Sequence, residues 1–277
     1  MRLYGVDFTS APRPRKPIVT ACGRLQGRAL HIEAVERYVT LADWADSLKR
    51  PGPWVMGCDF PFGLPRNFID AVGWPQEWND CVQHVAGLPK TEFEATIAAF
   101  RAQRPPGKKH PLRIPDQRVG ACSPLMLHGV PVAKMFHVAA PCLLEASLHI
   151  VPCRPRPEDR VVIEVYPGAV ARHLIGKAPY KGGSTAQALQ RYEHRAALMQ
   201  ALQQTPPIAR YGVQCRFSPA LGAAMLADYS GDILDAVLCL LPTAWAASRL
   251  DGSYGVPSDA DPLEVWLVDP ATLRNPG

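Results

Sequence analysis

The chain opens with Arg2-Leu3-Tyr4-Gly5-Val6-Asp7-Phe8, a short apolar run that holds one carboxylate near its end. Such a run reads as a buried strand over Leu3 to Phe8. Pro17 to Cys22 and Ala29 to Tyr38 read as two more strands, joined by a short turn through Gly23 and Gly27. Three strands in quick succession suggest a meander. A helix follows, because Leu41, Trp44, Ala45 and Leu48 recur at the helical spacing and Thr40 with Asp43 makes a capping-box-like start. Pro51-Gly52-Pro53 stops it. Trp54-Val55-Met56-Gly57-Cys58-Asp59 is then a fourth apolar strand, again ending in a carboxylate.

Length and composition suit this start. The 277 residues fit one large domain, or one domain with a big insertion, and 47% apolar content supports a sizeable core. The formal net charge of +5 is mildly basic, compatible with an anionic partner without specifying one. Eight cysteines are scattered with no C-x-x-C pair and no Cys/His cluster, so the reading is a reducing compartment without zinc or a disulfide framework. No apolar signal region precedes the first strand, and a cytoplasmic location is expected. The longest apolar run, around Ala236 to Ala247, is too short to span a bilayer and contains Pro242, so no membrane partner is expected. The oligomeric state is left open.

From about residue 66 to residue 157 the chain is rich in proline and in broken amphipathic pieces, and reads as an insertion or cap over the main sheet. Regularity returns with Val161-Val162-Ile163-Glu164-Val165-Tyr166, a fifth strand, and Pro167 suits the first position of a following helix. Ser184 to Gln203 reads as a helix with Leu189, Tyr192, Ala196, Met199 and Leu202 inward. Ser218-Pro219 opens another, and Ser230 to Arg249 is the last long one. The order is that of a mixed α/β domain: a five-stranded sheet flanked by helices, with a long helical and irregular insertion between strands four and five. It matches the RNase H-like order, in which a hairpin pair flanks a central first strand and the fourth strand pairs parallel beside it. A single such domain over residues 1–277 is expected.

Acids fall at comparable places in this scheme. Asp7 lies near the end of the first strand and Asp59 ends the fourth; as parallel neighbours their backbones stand roughly 5 Å apart. Asp232 and Asp235, about one turn apart in the last helix, share a face that could meet them. Carboxylates gathered at one point repel one another, and burial adds to the cost. A hard cation such as Mg²⁺ or Mn²⁺ removes that penalty. Two such ions about 4 Å apart can activate water for an in-line displacement at phosphorus. Each acid also has a plainer reading. Asp7 and Asp59 could satisfy turn amides, Asp232 could favour a helix start, Asp235 could lie on an exposed face, and Glu164 could face solvent on a one-sided sheet.

Four blocks resemble a known family in order: Gly5-Val6-Asp7-Phe8, Cys58-Asp59-Phe60-Pro61-Phe62-Gly63-Leu64-Pro65, Ile163-Glu164-Val165-Tyr166-Pro167 and Gly231-Asp232-Ile233-Leu234-Asp235-Ala236. They are similar to the signature blocks of the predicted RNase H-like nuclease family (domain of unknown function, number 429). Leu263-Glu264-Val265-Trp266 resembles its closing block, although a glycine is more usual where Val265 stands. The resemblance implies an RNase H-like fold and a metal-dependent nuclease activity, with Asp7, Asp59, Asp232 and Asp235 as metal-site acids and Glu164 as a further catalytic candidate. Nucleic acid would be the substrate.

Other residues bear on substrate binding. Lys177, Tyr180 and Lys181 precede Gly182-Gly183-Ser184 in a loop where Lys181 could contact phosphate. Arg113 belongs to a basic stretch with Lys108, Lys109, His110 and Arg118 that could track a nucleic-acid backbone. Trp74 and Trp78 either stack on bases or share a core face. Lys134, a charge in an apolar run, either pairs with a site carboxylate or snorkels. Thr9 and Ser10 would suit a phosphate loop, the feature that favours a nucleotide-dependent phosphotransferase of the actin-like ATPase kind. Against that stand the room for only one such core and the lack of a glycine-rich adenosine motif. A third reading is a non-catalytic module that binds nucleic acid or a small anion.

Overall fold

A computed structural model of the protein describes residues 1–249 and 252–273. Its strands are β1 (Arg2–Asp7), β2 (Ile18–Gln26), β3 (Ala29–Tyr38), β4 (Trp54–Asp59), β5 (His149–Ile150), β6 (Arg160–Glu164) and β7 (Gln214–Arg216). Its helices are α1 (Leu41–Ser47), α2 (Arg66–Val72), α3 (Trp78–Gly87), α4 (Lys90–Ala102), α5 (Ile114–Val119), α6 (Val132–Glu145), α7 (Pro167–Ile175), α8 (Ala188–Leu202), α9 (Thr205–Tyr211), α10 (Pro219–Ala227) and α11 (Asp232–Ala247). The strands form one mixed sheet in the order β5-β6-β4-β1-β2-β3-β7. The sheet has seven strands where five are expected. The two additional ones, β5 and β7, are two- and three-residue pieces at opposite edges, too short for a hydrophobic pattern to announce them.

The five longer strands run β6-β4-β1-β2-β3, with β1 central, antiparallel to β2 and parallel to β4. The meander forms because β2 and β3 pair antiparallel across the turn at Gly27. Strand alternation then divides the core. Tyr4, Val6, Met56, Cys58 and Val162 face one cluster, into which the inserted helices send Phe68, Phe93 and Phe136. Leu3, Val55, Val161 and Ile163 face the other, built around α11. Trp74 and Trp78 are buried in the first cluster, and the Trp78 indole N–H donates to the Phe62 carbonyl at 2.7 Å. Their four-residue spacing is therefore a core face and not a stacking platform.

Local signals act as written at several ends. Thr40 caps α1 through the Asp43 amide, Ser218 caps α10 through the Leu221 amide, and Pro167 takes the first turn of α7. The face of α8 differs from expectation in its first turns, while Leu202 is buried and Met199 packs against the core as expected. Leu189 and Tyr192 are 70% and 46% exposed, while Arg191 and Arg195 are 9% and 4% exposed beside Leu198 and Leu202. Both arginines reach backbone carbonyls, Arg191 that of Pro179 at 3.0 Å and Arg195 that of Tyr180 at 2.9 Å. Such bonds make burial of a guanidinium tolerable, and a count of apolar residues cannot register them. Among the described residues no helix is long and apolar enough to cross a membrane.

Helix α11 is buried on nearly every side, including at Asp232 and Asp235. It lies directly on the β1–β4 pair because the residues beneath it, Gly5 and Gly57, are register partners without side chains. A Cβ on Gly5 would stand 2.3 Å from the Ala236 carbonyl oxygen, and one on Gly57 would stand 2.1 Å from Thr243 Oγ1. Gly5→Ala therefore has to lift a helix backbone. The expected loss is about 1–3 kcal/mol of stability, the usual cost of overpacking, read from the urea midpoint; an unchanged midpoint would show that α11 has slack at this point.

Candidate functional site

The register of β1 on β4 sets Asp7 opposite Asp59, at the ends of two adjacent parallel strands. By alternation both stand on the α11 face, two residues beyond Gly5 and Gly57. The first turn of α11 contributes Asp232 and Asp235. Asp7 feels the charge of all three other acids, and burial with that repulsion raises its carboxyl well above the usual carboxylate range. Burial, followed by the charge of Asp235, pushes Asp59 up to about 8. No described residue donates a hydrogen bond to the carboxylate of Asp7 or of Asp59.

Asp232 and Asp235 are partnered. Lys16 Nζ meets Asp232 at 2.5 Å, carried there by the small turn in which Arg13 and Lys16 exchange backbone hydrogen bonds. Lys181 Nζ and the Tyr180 hydroxyl both donate to Asp235. Burial alone would lower Lys181, but the Asp235, Asp7 and Asp59 carboxylates hold it above its usual range. The two buried arginines of α8 grip the carbonyls of Pro179 and Tyr180 and so fix the loop that delivers Lys181. Lys16, Arg191 and Arg195 are contributors that sequence reasoning did not single out; the cation-rich turn Arg13-Pro14-Arg15-Lys16 beside Asp7 was the available signal for Lys16.

Glu164 lines the same cleft as Asp59 and its charge adds to the rise of Asp59, but it leaves the sheet on the other face. It is the register partner of Cys58, not of Asp59, so it points to the opposite face. There it accepts from Arg113 Nη2 at 2.5 Å, Arg113 Nη1 at 2.9 Å and the Phe62 amide at 2.8 Å. Arg113 also binds Asp116 through Nε and Nη2, and the Glu264 carbonyl through Nη1. With its side chain 1% exposed, Arg113 holds the insertion to the sheet at the wall of the cleft that Asp59 also lines. Burial raises Glu164, opposed by Arg113. Lys134 lies on α6 and pairs with Glu94 at 3.3 Å, away from the aspartates. Thr9 and Ser10 are half-buried in the loop that leaves β1. Val265, where the resembling family more often has glycine, has φ of +62°, the left-handed region in which a β-branched residue is strained.

The four aspartates offer hard oxygen donors that suit Mg²⁺ or Mn²⁺. They outnumber the two lysines among them, and Asp7 and Asp59 have no other described partner. As they stand, the described residues hold no group of three or more His, Cys, Asp or Glu arranged to share an ion; Asp232 and Asp235 are turned to Lys16, Lys181 and Tyr180. An ion there would be held by Asp7 and Asp59 first, with the α11 acids available on exchange of a lysine. A family model described as "Protein of unknown function (DUF429)" matches residues 143–261. That stretch holds Glu164, Lys181, Asp232 and Asp235, while Asp7, Asp59 and the closing block at 263–266 lie outside it. No curated protein and no solved structure matches the chain.

Two tests follow from these charges. A carboxyl raised in the folded state keeps a proton that the unfolded chain gives up near pH 4, so its stabilising contribution is lost as pH rises toward 8. Without divalent cations, Asp59→Asn should therefore stabilise the protein by about 1–3 kcal/mol at pH 8 and by little at pH 4.5; equal urea midpoints at both values would contradict the raised carboxyl. Arg113→Met should cost about 3–5 kcal/mol by leaving Glu164 and Asp116 buried without their cation. Adding Glu164→Gln should recover part of that loss in a double-mutant cycle.

Proposed function

We propose that this chain is an RNase H-like, metal-dependent nuclease that hydrolyses phosphodiester bonds of nucleic acid. The observation that carries the reading is the pairing of Asp7 with Asp59 at the ends of adjacent parallel strands, facing the acid-bearing first turn of α11. The order β3-β2-β1-β4-β6 supports the RNase H-like assignment, as do the sequence blocks that resemble the predicted nuclease family.

Asp7 and Asp59 would hold the divalent ion, with Asp232 and Asp235 available to complete its surroundings. Mg²⁺ or Mn²⁺ bound there would supply Lewis acidity and lower the pKa of a water. Lys181, half exposed beside the acids, is placed to meet a phosphate oxygen once Asp235 is otherwise engaged. Lys16 balances the acid charge from the far side. In the reaction water adds to phosphorus, one P–O bond breaks, and the leaving oxygen takes a proton.

The direct test is Asp7→Asn, with Mg²⁺ and Mn²⁺ binding measured by calorimetry beside cleavage of labelled single-stranded, duplex and hybrid nucleic acids. The variant is expected to lose at least about tenfold in ion affinity and to lose cleavage. Unchanged ion affinity removes the metal-site reading. Ion binding with no substrate cut leaves the phosphotransferase as the alternative, through Thr9 and Ser10.

A further inference from the structure

A cleft of about 520 Å³ opens beside Asp59. Asp59 and Lys181 lie in its lining, with Tyr166 and Tyr180. One wall comes from β6, α7 and the loop after it; the opposite wall comes from the insertion, through Ala121, Val130, Val132 and Met135. Pockets of roughly 300–1,000 Å³ suit one small organic molecule. A duplex, with both strands stacked and paired, cannot lie between two such walls, and enzymes that must reach one nucleotide take it out of the stack.

The lining divides by chemistry. Asp59, Lys177 and Lys181 are charged lining residues outside the paired Arg113–Asp116–Glu164 network and Arg172, and Lys177 is exposed with no ion pair among the described residues. The insertion contributes apolar side chains at Ala121, Pro124, Val130, Val132 and Met135, beside the buried Arg113 and Asp116, whose charges are engaged with each other and with Glu164. Between them, the Tyr166 ring is held in place: a Cβ on Gly168 would stand 2.5 Å from its Cζ, and the Arg172 guanidinium lies 5.7 Å from its centroid. A fixed aromatic ring and an apolar wall next to cations suit a flat base attached to a phosphate.

We infer that the insertion makes this a one-nucleotide pocket, taking the phosphate of a single unpaired nucleotide at the Asp59–Lys181 end and its base against Tyr166 and the Val130–Val132–Met135 wall. The inference rests on the phosphodiesterase reading for the choice of ligand, and it narrows the substrate to a free nucleotide or an unpaired stretch of a strand. It also gives the insertion a role, exclusion of paired nucleic acid.

The probe is 2′-deoxyadenosine 5′-monophosphate, titrated calorimetrically into the full chain with Mg²⁺ present. Ala178→Trp and Val130→Trp each fill the cleft from a loop outside the acid cluster. One saturable site is expected, with affinity falling about tenfold or more in the tryptophan variants while their Mg²⁺ titration stays unchanged. In a parallel arm, a labelled single strand should be cut and the monophosphate should compete, while a covalently closed circular duplex should survive. Absence of monophosphate binding into the millimolar range overturns the inference. So does wild-type affinity in both tryptophan variants, or cutting of the closed duplex as fast as the single strand. If no polynucleotide is cut but the monophosphate binds and the variants lose it, the nuclease reading fails and the pocket stands, with a free nucleotide as its ligand.

Discussion

Everything near the candidate site depends on how closely α11 approaches the sheet. The helix backbone rests on Gly5 and Gly57, and any side chain there would strike Ala236 or Thr243. Because these glycines precede Asp7 and Asp59 by two residues on the same sheet face, the contact that seats the helix also brings the first-turn acids of α11 near enough to raise the Asp7 carboxyl. The approach is supported by apolar burial along nearly the whole of α11, the largest favourable term in the fold. That term opposes the repulsion among the carboxylates.

The acid cluster is a balance of opposed charges. Lys16 comes from the turn after β1 and Lys181 from the loop after α7, and each takes one α11 aspartate. The strand-end pair, Asp7 and Asp59, keeps raised carboxyls to which no described residue donates a hydrogen bond. Lys16 and Lys181 offset this only in part, and such proximity is costly in a merely structural site and is common where chemistry is done. The buried arginines Arg191 and Arg195 belong to the same balance at one remove, since they hold the loop that brings Lys181 and Tyr180 to Asp235.

On the opposite face of the sheet, a second buried network has a different character. Arg113 is saturated by Glu164, Asp116 and the Glu264 carbonyl. This network ties three distant pieces together: the insertion through α5, the sheet through β6, and the closing segment that pairs beside Glu164 through Leu267. It acts as a clasp for the cap, and the cap supplies the wall that narrows the cleft beside Asp59.

The sequence alone determined the long elements, because their signals are local. Alternation and length mark β1 to β4 and β6, and Thr40, Ser218 and Pro167 mark helix starts through bonds and φ constraints that act within a few residues. It also determined the pairing of Asp7 with Asp59, since each ends a strand and parallel neighbours align such ends. Tertiary structure alone decided the rest. The parity of Glu164 depends on a register that no local pattern encodes, so an acid that looks equivalent to Asp59 turns to the other face and to Arg113. Arg191 and Arg195 are inward because distant carbonyls await them, and they take the places expected for Leu189 and Tyr192 while Leu202 stays buried as expected. Lys16 reaches Asp232 across 216 positions of chain. Hydrophobic periodicity reports which residues leave water; which charges meet is set by register and packing between segments far apart in sequence.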